Sequence, residues 1–352
     1  MVNWFNYKKF LVVVLPLLLL SLSLVEEPTL RAKRWGFYGH KRINRMAVFT
    51  LPPPMFGFYK DHIEYVTENA PNPDRRRYAV EGEAQRHFID LDHYYQPGDD
   101  PSKVMPRRWD DAVAKFTEDT LQAYGIVPWV IVRYKYSLQK AFEEGNVDNI
   151  LRISADLGHY MSDAHVPLHT TENYNGQMTN QKGIHGLWES RLVEINADDY
   201  DYFVGKVKYI KSPLDFAWDV VLASHRSVDS VFRIEKELTL EFGEDKKYSY
   251  EQRGNVTTKV YSYEFSQAYH QRMNGMVERR MKAAIIATGS IWYTAWVDAG
   301  QPNLEQLRNK PVSVELQKES EELEHLDHGK AREEFAINRF SCLIFILLHH
   351  FC

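Results

Sequence analysis

Cysteine is almost missing from this chain of 352 residues. Its two cysteines, Cys342 and Cys352, both lie close to the C-terminal end. The body of the chain therefore offers no disulfide and no thiolate ligand. Any transition-metal site there must use histidine, aspartate, glutamate or backbone groups.

An excess of basic residues is also lacking. The chain has 43 lysines and arginines against 48 aspartates and glutamates, which gives a formal net charge of -5. This is not the positive surplus that typically accompanies nucleic-acid binding. The acidic total does not exclude a nucleic-acid substrate, because bound metal ions can supply positive charge locally.

Apolar runs long enough to span a bilayer are lacking as well. The run from Phe10 to about Val25 follows Lys8 and Lys9, which is the pattern of a secretory signal peptide. We expect residues 1–34 to be a signal peptide with a possible short pro-segment, and the protein to be secreted or periplasmic. The apolar end at 340–352 is too short to span a membrane, and the sequence assigns it no function.

Helical spacing dominates the rest of the chain and predicts a mostly α-helical fold. A single multi-helix domain is expected over residues 35–307, followed by a charged tail with a short apolar end at 308–352 whose role is unknown. Residues 254–265 have strand character but are expected to be too isolated in sequence to build a sheet. The helical stretches are 40–51, 55–70, 109–125, 128–145, 146–166, 212–242 and 263–297.

The segment 156–190 combines four histidines with several acidic residues. His159 and Asp163 are four residues apart, which places both on one face of a helix, and His185 and Glu189 repeat this spacing. His169 lies between the two pairs. Taken alone, a His–x3–Asp pair usually means a surface hydrogen bond or a helix ion pair. Two such pairs with a further imidazole favour a metal site, of which zinc is the best match and manganese or iron are poorer ones.

Two further stretches carry groups of the same chemistry. The first, at 86–95, contains His87 and Asp90 and is preceded by Asp74. The second is "WGFYGH" at 35–40. If cleavage occurs just before Trp35, its free amino group and backbone carbonyl can chelate a metal.

In this order, "WGFYGH", "D…HFID", "GHYMSDAHVPLH" and "GIHGLWES" resemble the superfamily of single-strand-specific zinc nucleases and zinc-dependent phospholipases C. The resemblance covers 35–189 by motif. It implies a multi-helix domain with a trinuclear zinc cleft. The implied ligands of the three Zn²⁺ ions, in chain order, are Trp35, His40, Asp74, His87, His159, Asp163, His169, His185 and Glu189.

The resemblance distributes these ligands over three ions. Asp74, His87, His159 and Asp163 hold the first ion. The second takes Trp35, His40 and the other oxygen of Asp163, and the third takes His169, His185 and Glu189. Asp74 is the least secure of these ligands, because Asp61 lies upstream.

The predicted reaction is phosphoester hydrolysis, in which a metal-activated water attacks phosphorus. Zinc lowers the pKa of bound water toward about 7, and a metal pair about 3.5–4 Å apart stabilises the attacking and leaving oxygens. Asp74, Asp163 and Arg77 are the predicted catalytic residues, with the Arg77 guanidinium on the phosphate. The alternative for Arg77 is a solvated basic turn formed by the three consecutive arginines. Phe88 is expected to stack on a base and Asp90 to hydrogen-bond its edge. The alternatives are that Phe88 belongs to the core and that Asp90 orients a ligand histidine.

The sequence leaves the substrate open. The step from Trp35 to His40 and the Asp74–x2–Arg77 spacing resemble the nucleases, which leans the prediction toward single-strand nuclease or 3'-nucleotidase activity. Glu189 resembles the phospholipases, so hydrolysis of phospholipid headgroup phosphodiesters is the alternative. A non-catalytic binding protein stabilised by zinc is a third. The predicted partners are therefore nucleic acid, nucleotide or phospholipid substrates, and no obligate protein partner is indicated.

Overall fold

The computed structural model describes residues 37–253 and 256–325, and most of these residues are helical, as predicted. The predicted signal segment, Trp35 and the apolar C-terminal end lie outside the described residues. The first helices are α1 (Phe37–Val48), α2 (Pro53–Asp61), α3 (Ile63–Glu68), α4 (Asn72–Arg76), α5 (Pro101–Val104), α6 (Trp109–Phe116), α7 (Glu118–Tyr124), α8 (Val127–Glu144) and α9 (Val147–Ala164). The later helices are α10 (Leu192–Asn196), α11 (Pro213–His225), α12 (Val228–Phe242), α13 (Glu244–Lys247), α14 (Tyr263–Arg272), α15 (Met276–Asp298) and α16 (Val314–His325). Single 3-10 turns occur at Ala84–His87, Leu91–His93, Pro167–Thr170, Ala197–Asp199 and Glu305–Leu307, and a π-helical turn at Gly186–Arg191.

Helix α9 is the centre of the fold. It packs against α1, α8 and α15, and every residue from Ile153 to Ala164 is buried. The helix begins where the Asn146 side chain accepts a hydrogen bond from the Asn149 amide, just after Gly145 has ended α8 in the left-handed conformation. Because α9 is enclosed on all sides, its polar side chains must find partners inside the protein.

The contact between α1 and α9 depends on Gly158. A Cβ at this position would lie 2.0 Å from Oδ1 of Asn44, so only glycine permits the observed approach. Asn44 donates through Nδ2 to the carbonyl oxygens of Val66 and Ala155, at 3.1 Å each. This contact fixes α1 against α9 at the residue that directly precedes His159.

Four of the predicted helical stretches are each divided in two. Thr117 (φ 69°) separates α6 from α7, and Asn274 and Gly275 (φ 47° and 70°) separate α14 from α15. Shorter breaks occur at His62 and around Arg226–Ser227. The apolar spacing resumes after each break, so helical periodicity alone does not reveal them.

The prediction that 254–265 is too isolated for a sheet is wrong. Strand β1 (Tyr248–Arg253) pairs antiparallel with β2 (Val256–Tyr261), with Tyr248 opposite Tyr261. A two-stranded hairpin is marginally stable alone. Here it is supported through Tyr261, which is buried in the apolar cluster that also contains Phe265 and Trp188.

The charged segment after residue 307 contacts the body of the protein as far as the described residues extend. Helix α16 buries Leu316, and the Ser313 amide donates to Asp148 at 3.1 Å. Arg75 Nη2 lies 3.8 Å from Oε1 of Glu324. Within residues 37–253 and 256–325, no helix has the length and apolar character needed to cross a membrane.

Candidate metal centre

Six structural elements bring imidazoles and carboxylates to one place. Helix α1 supplies His40, α4 supplies Asp74, α9 supplies two residues, and the turns at 84–87, 167–170 and 185–191 supply the others. Donor atoms lie within 4.8 Å of one another in each of four overlapping groups. The groups are His40–Asp74–His159, His87–His159–Asp163, His169–His185–Glu189 and His40–Asp163–Glu189. The structure thus brings eight of the nine predicted ligands together, and Trp35 lies outside the described residues.

The carboxylate of Asp163 joins two of these groups. Its Oδ2 lies 2.9 Å from Nδ1 of His87 and 3.2 Å from Nε2 of His159. Its Oδ1 lies 3.6 Å from Nε2 of His40 and 3.9 Å from Nε2 of His169. One oxygen therefore faces one pair of histidines, and the second oxygen faces another pair.

Glu189 connects the His169–His185–Glu189 group to the His40–Asp163–Glu189 group. Its Oε2 lies 2.6 Å from Nε2 of His185 and 3.3 Å from Nε2 of His169, while Oε1 lies 3.4 Å from Nε2 of His40. His185 and Glu189 were expected on an α-helical turn, but Gly186–Arg191 forms a π-helical turn. The wider turn still keeps the two side chains on one face, and such turns are frequent at functional sites.

Backbone carbonyls orient three of the histidines. Nδ1 of His159 donates to Ala70 O at 3.0 Å. Nδ1 of His169 donates to His87 O at 2.6 Å, and Nδ1 of His185 donates to Tyr174 O at 3.2 Å. Each of these rings thereby turns its Nε2 toward the carboxylates. Histidine binds a metal through a ring nitrogen that carries no proton, and here that nitrogen points into the cluster.

The carboxylates of the cluster are held in the ionised form. Burial raises the pKa of Asp163, but the imidazoles of His159 and His169 outweigh it and hold the pKa well below its usual value. The pKa of Glu189 is depressed in the same way by His169 and His185. Burial lowers the pKa of His40, but Glu189 and Asp163 more than reverse this and raise it to about 9. The cluster thus favours positive charge at its centre.

These buried groups can hold a metal ion. Inward imidazole nitrogens beside ionised carboxylates are nitrogen and oxygen ligands of the kind that zinc and other divalent transition metals take. The residue set fits such an ion.

Asp74 and Arg77 lie together at the edge of the cluster. Oδ1 of Asp74 is 3.6 Å from Nδ1 of His87, and Nη1 of Arg77 is 3.8 Å from the same oxygen. The Asp74 side chain is 26 % exposed, which makes it the most accessible carboxylate of the cluster. The alternative ligand, Asp61, instead pairs with Arg308 at 2.6 Å.

Phe88 and Asp90 flank the cluster on the chain that follows His87. Phe88 is partly buried, and its ring approaches Gly125 so closely that a Cβ there would lie 2.6 Å from Cδ2. Asp90 is buried, and its amide donates to Tyr124 O at 2.7 Å. The predicted roles of both residues in substrate binding stay predictions.

Several histidines have other partners in the structure. His165 donates through Nδ1 to Met161 O at 2.7 Å, and His62 hydrogen-bonds Phe58 O at 2.9 Å. His225 hydrogen-bonds Thr170 O at 2.9 Å. His93 stacks on Tyr124 and His270 on Tyr200. They belong to none of the four donor groups.

Beside the cluster lies a buried charged network centred on Glu83, whose side chain is fully buried. Arg76 Nε and Arg86 Nη1 both donate to its Oε2 at 3.0 Å, and the Tyr160 hydroxyl donates to Oε1. Arg76 also forms a bidentate pair with Asp156 at 3.2 and 2.8 Å. The sequence signals Glu83 only by its place four residues before His87.

No protein-family model matches the chain, and no curated protein matches it either.

Proposed function

We propose that this protein is a zinc-dependent phosphoester hydrolase of the zinc nuclease and phospholipase C type. The observation that carries the proposal is the carboxylate of Asp163, whose two oxygens face different histidine pairs inside a buried cluster. A carboxylate placed this way is suited to hold two cations at a fixed separation. Separations of about 3.5–4 Å are used by two-metal phosphoesterases.

Zinc at this site would act as a Lewis acid on the phosphoryl oxygens and lower the pKa of a coordinated water. His87, His159, Asp74 and Asp163 would hold one ion. His169, His185 and Glu189 would hold another, and His40 completes the arrangement beside Asp163. The ion held by His169, His185 and Glu189 would have only three protein ligands, which would leave room for substrate.

Arg77 is the residue we propose to bind the phosphate. Of the three consecutive arginines, Arg75 donates to Asn72 Oδ1 at 2.7 Å and Arg76 is committed to Asp156 and Glu83. Arg77 Nη1 instead faces Asp74 at the accessible edge of the cluster. A guanidinium there can form two parallel hydrogen bonds to phosphoryl oxygens and orient the ester.

The substrate we favour is a single-stranded nucleic acid or a 3'-nucleotide. Phe88 directly follows His87, where its partly buried ring could stack on a base, and Asp90 lies two residues further along. Phospholipid headgroup phosphodiesters are the second candidate, since Glu189 resembles the terminal ligand of the phospholipases, at a position where the nucleases usually have aspartate.

The proposal is tested by assaying the purified protein, processed at Trp35, on four substrates. These are bis(p-nitrophenyl) phosphate, single-stranded DNA, 3'-AMP and phosphatidylcholine vesicles, each tested before chelation, after chelation and after zinc is restored. We expect chelation to abolish hydrolysis and zinc to restore it. Preference for DNA and 3'-AMP supports the nuclease function, and preference for phosphatidylcholine supports the phospholipase. A protein that binds zinc but hydrolyses none of the four would overturn the enzymatic proposal in favour of a binding protein.

A further inference from the structure

His87 is oriented differently from the other histidines of the cluster. His159, His169 and His185 direct Nδ1 to a backbone carbonyl and Nε2 to the carboxylates. His87 instead directs Nδ1 into the cluster, 2.9 Å from Oδ2 of Asp163 and 3.0 Å from Nε2 of His159. Its Nε2 therefore points away from the cluster, into the buried interior.

The group opposite this outward nitrogen is Glu83. Oε1 of Glu83 lies 3.7 Å from Nε2 of His87, and both side chains are fully buried. Nε2 is buried and has no partner within hydrogen-bond distance. A buried N–H without an acceptor costs free energy. When the ring binds a cation through Nδ1, the nearby carboxylate oxygen of Glu83 is therefore the acceptor available to Nε2.

An imidazole can coordinate a metal through only one nitrogen while the other carries the proton. Because Nδ1 of His87 faces the metal ligands, Nε2 must carry that proton when a metal is bound. A carboxylate opposite the N–H fixes this tautomer and makes the ring a stronger ligand than a neutral carbonyl would.

The position of Glu83 is itself rigidly set. Arg76 and Arg86 both donate to Oε2, and the Tyr160 hydroxyl donates to Oε1. The two guanidinium groups compensate the buried charge, so Glu83 can stay ionised without a proton from His87. Oε1 remains directed at the His87 ring.

We propose that Glu83 is a positioning residue that fixes His87 in the tautomer required to bind a metal through Nδ1. This inference rests on the proposed metal site and deepens it. His87 would be the one ligand among the four oriented histidines whose second nitrogen is held by a carboxylate.

The test measures zinc affinity of the full-length protein by competition with a chromophoric chelator, with zinc alone as the probe. We expect Glu83→Ala to weaken zinc binding roughly 10- to 100-fold, the effect usual for a lost second-sphere partner. Glu83→Gln keeps an acceptor oxygen without the charge, so it should restore part of the affinity. If Glu83→Ala does not fold, Glu83→Gln alone decides the test, with a loss of about tenfold expected.

Asp156→Asn is the matched control. Asp156 is buried, and its carboxylate pairs with the same Arg76, but it faces none of the histidines of the cluster. The substitution should lower the melting temperature of the zinc-free protein as Glu83→Gln does and leave the zinc affinity unchanged.

The outcomes separate the two proposals. If the wild-type protein binds no zinc, both the proposed function and this inference fail. If wild type binds zinc and the Glu83 variants bind it equally well, or Asp156→Asn weakens binding as much, the role of Glu83 is wrong while the proposed function stands. A selective loss in the Glu83 variants supports the inference.

Discussion

The imidazole of His40 stacks on that of His159, with ring centroids 4.0 Å apart and an angle of 27° between the planes. The two rings come from helices α1 and α9, which cross at Gly158. The cluster of candidate metal ligands therefore depends on how closely two buried helices approach, and not only on the residues that carry its donor atoms.

Gly158→Ala should consequently damage both stability and metal binding. Alanine for glycine inside a helix normally stabilises by about 1 kcal/mol. Here the added methyl would meet Asn44, and overpacking of this kind costs about 1–3 kcal/mol. We expect a lower free energy of unfolding and less bound zinc, measured by urea denaturation and elemental analysis. Gly186→Ala, where a Cβ meets nothing within 4 Å, is the steric control. A Gly158→Ala protein as stable as wild type would contradict the close contact.

Asp163→Asn should remove the proposed bridge between two metal ions. Asparagine keeps the shape of the side chain but loses the charge, so it bridges two dications poorly. We expect phosphodiester hydrolysis to fall by more than about 100-fold. Substituting a residue that only hydrogen-bonds a metal ligand already lowers metal affinity or activity about 10- to 100-fold. Far-ultraviolet circular dichroism should show the same helix content. Activity within about tenfold of wild type, with unchanged zinc content, would mean that Asp163 is not the bridge.

Glu189→Asp should change substrate preference if the ion held by His169 and His185 contacts the substrate. The shorter side chain cannot keep Oε2 at both of these histidines and Oε1 at His40. We expect a changed ratio of 3'-AMP to phosphatidylcholine turnover. If both rates are measurable and their ratio is constant, specificity lies in the walls of the cleft.

The helical pairs of the site are predictable from sequence because their geometry is local. His159 and Asp163 are related by one turn of a helix whose start at Asn146 and end before Pro167 are visible in the sequence. Asp74 and His87 reach the cluster from separate elements, and only the family motif connects them to it. The position of Glu83 beside His87 cannot be predicted from the sequence, because tertiary packing brings Glu83 into contact with Arg76 and Tyr160.

The hairpin shows a second limit of local reasoning. Tyr248–Arg253 mixes aromatic and charged residues and resembles a loop in isolation, yet it pairs with β2 along its whole length. Arg191, the last residue of the π-helical turn, forms an ion pair with Glu251 of this strand. Pairing between segments and burial against distant side chains decide such an element.

The burial of His225 should make the stability of the protein depend on pH. It is mostly buried, and burial lowers its pKa from the usual value, despite the opposing effect of Asp92. Its Nδ1 donates to Thr170 O, and its Nε2 accepts from the Tyr95 hydroxyl. These two hydrogen bonds require the neutral imidazole. Because the unfolded chain binds this proton more readily, the contribution to stability is present above about pH 6.5 and falls as the pH drops below that value.

His225→Gln should therefore reduce the loss of stability between about pH 7 and pH 5, although the variant starts less stable at pH 8. The measurement is the free energy of unfolding from urea titrations of both proteins under matched zinc conditions. Equal slopes against pH for wild type and variant would show that His225 does not titrate as described.

The proposed metal centre is tested most directly by measuring the zinc content of the purified protein together with its phosphoester hydrolysis. With the chain processed at Trp35, as the family resemblance implies, we expect three zinc ions per chain and hydrolysis that disappears and returns with the metal. A protein without bound zinc that gains no activity when zinc is added would contradict the account.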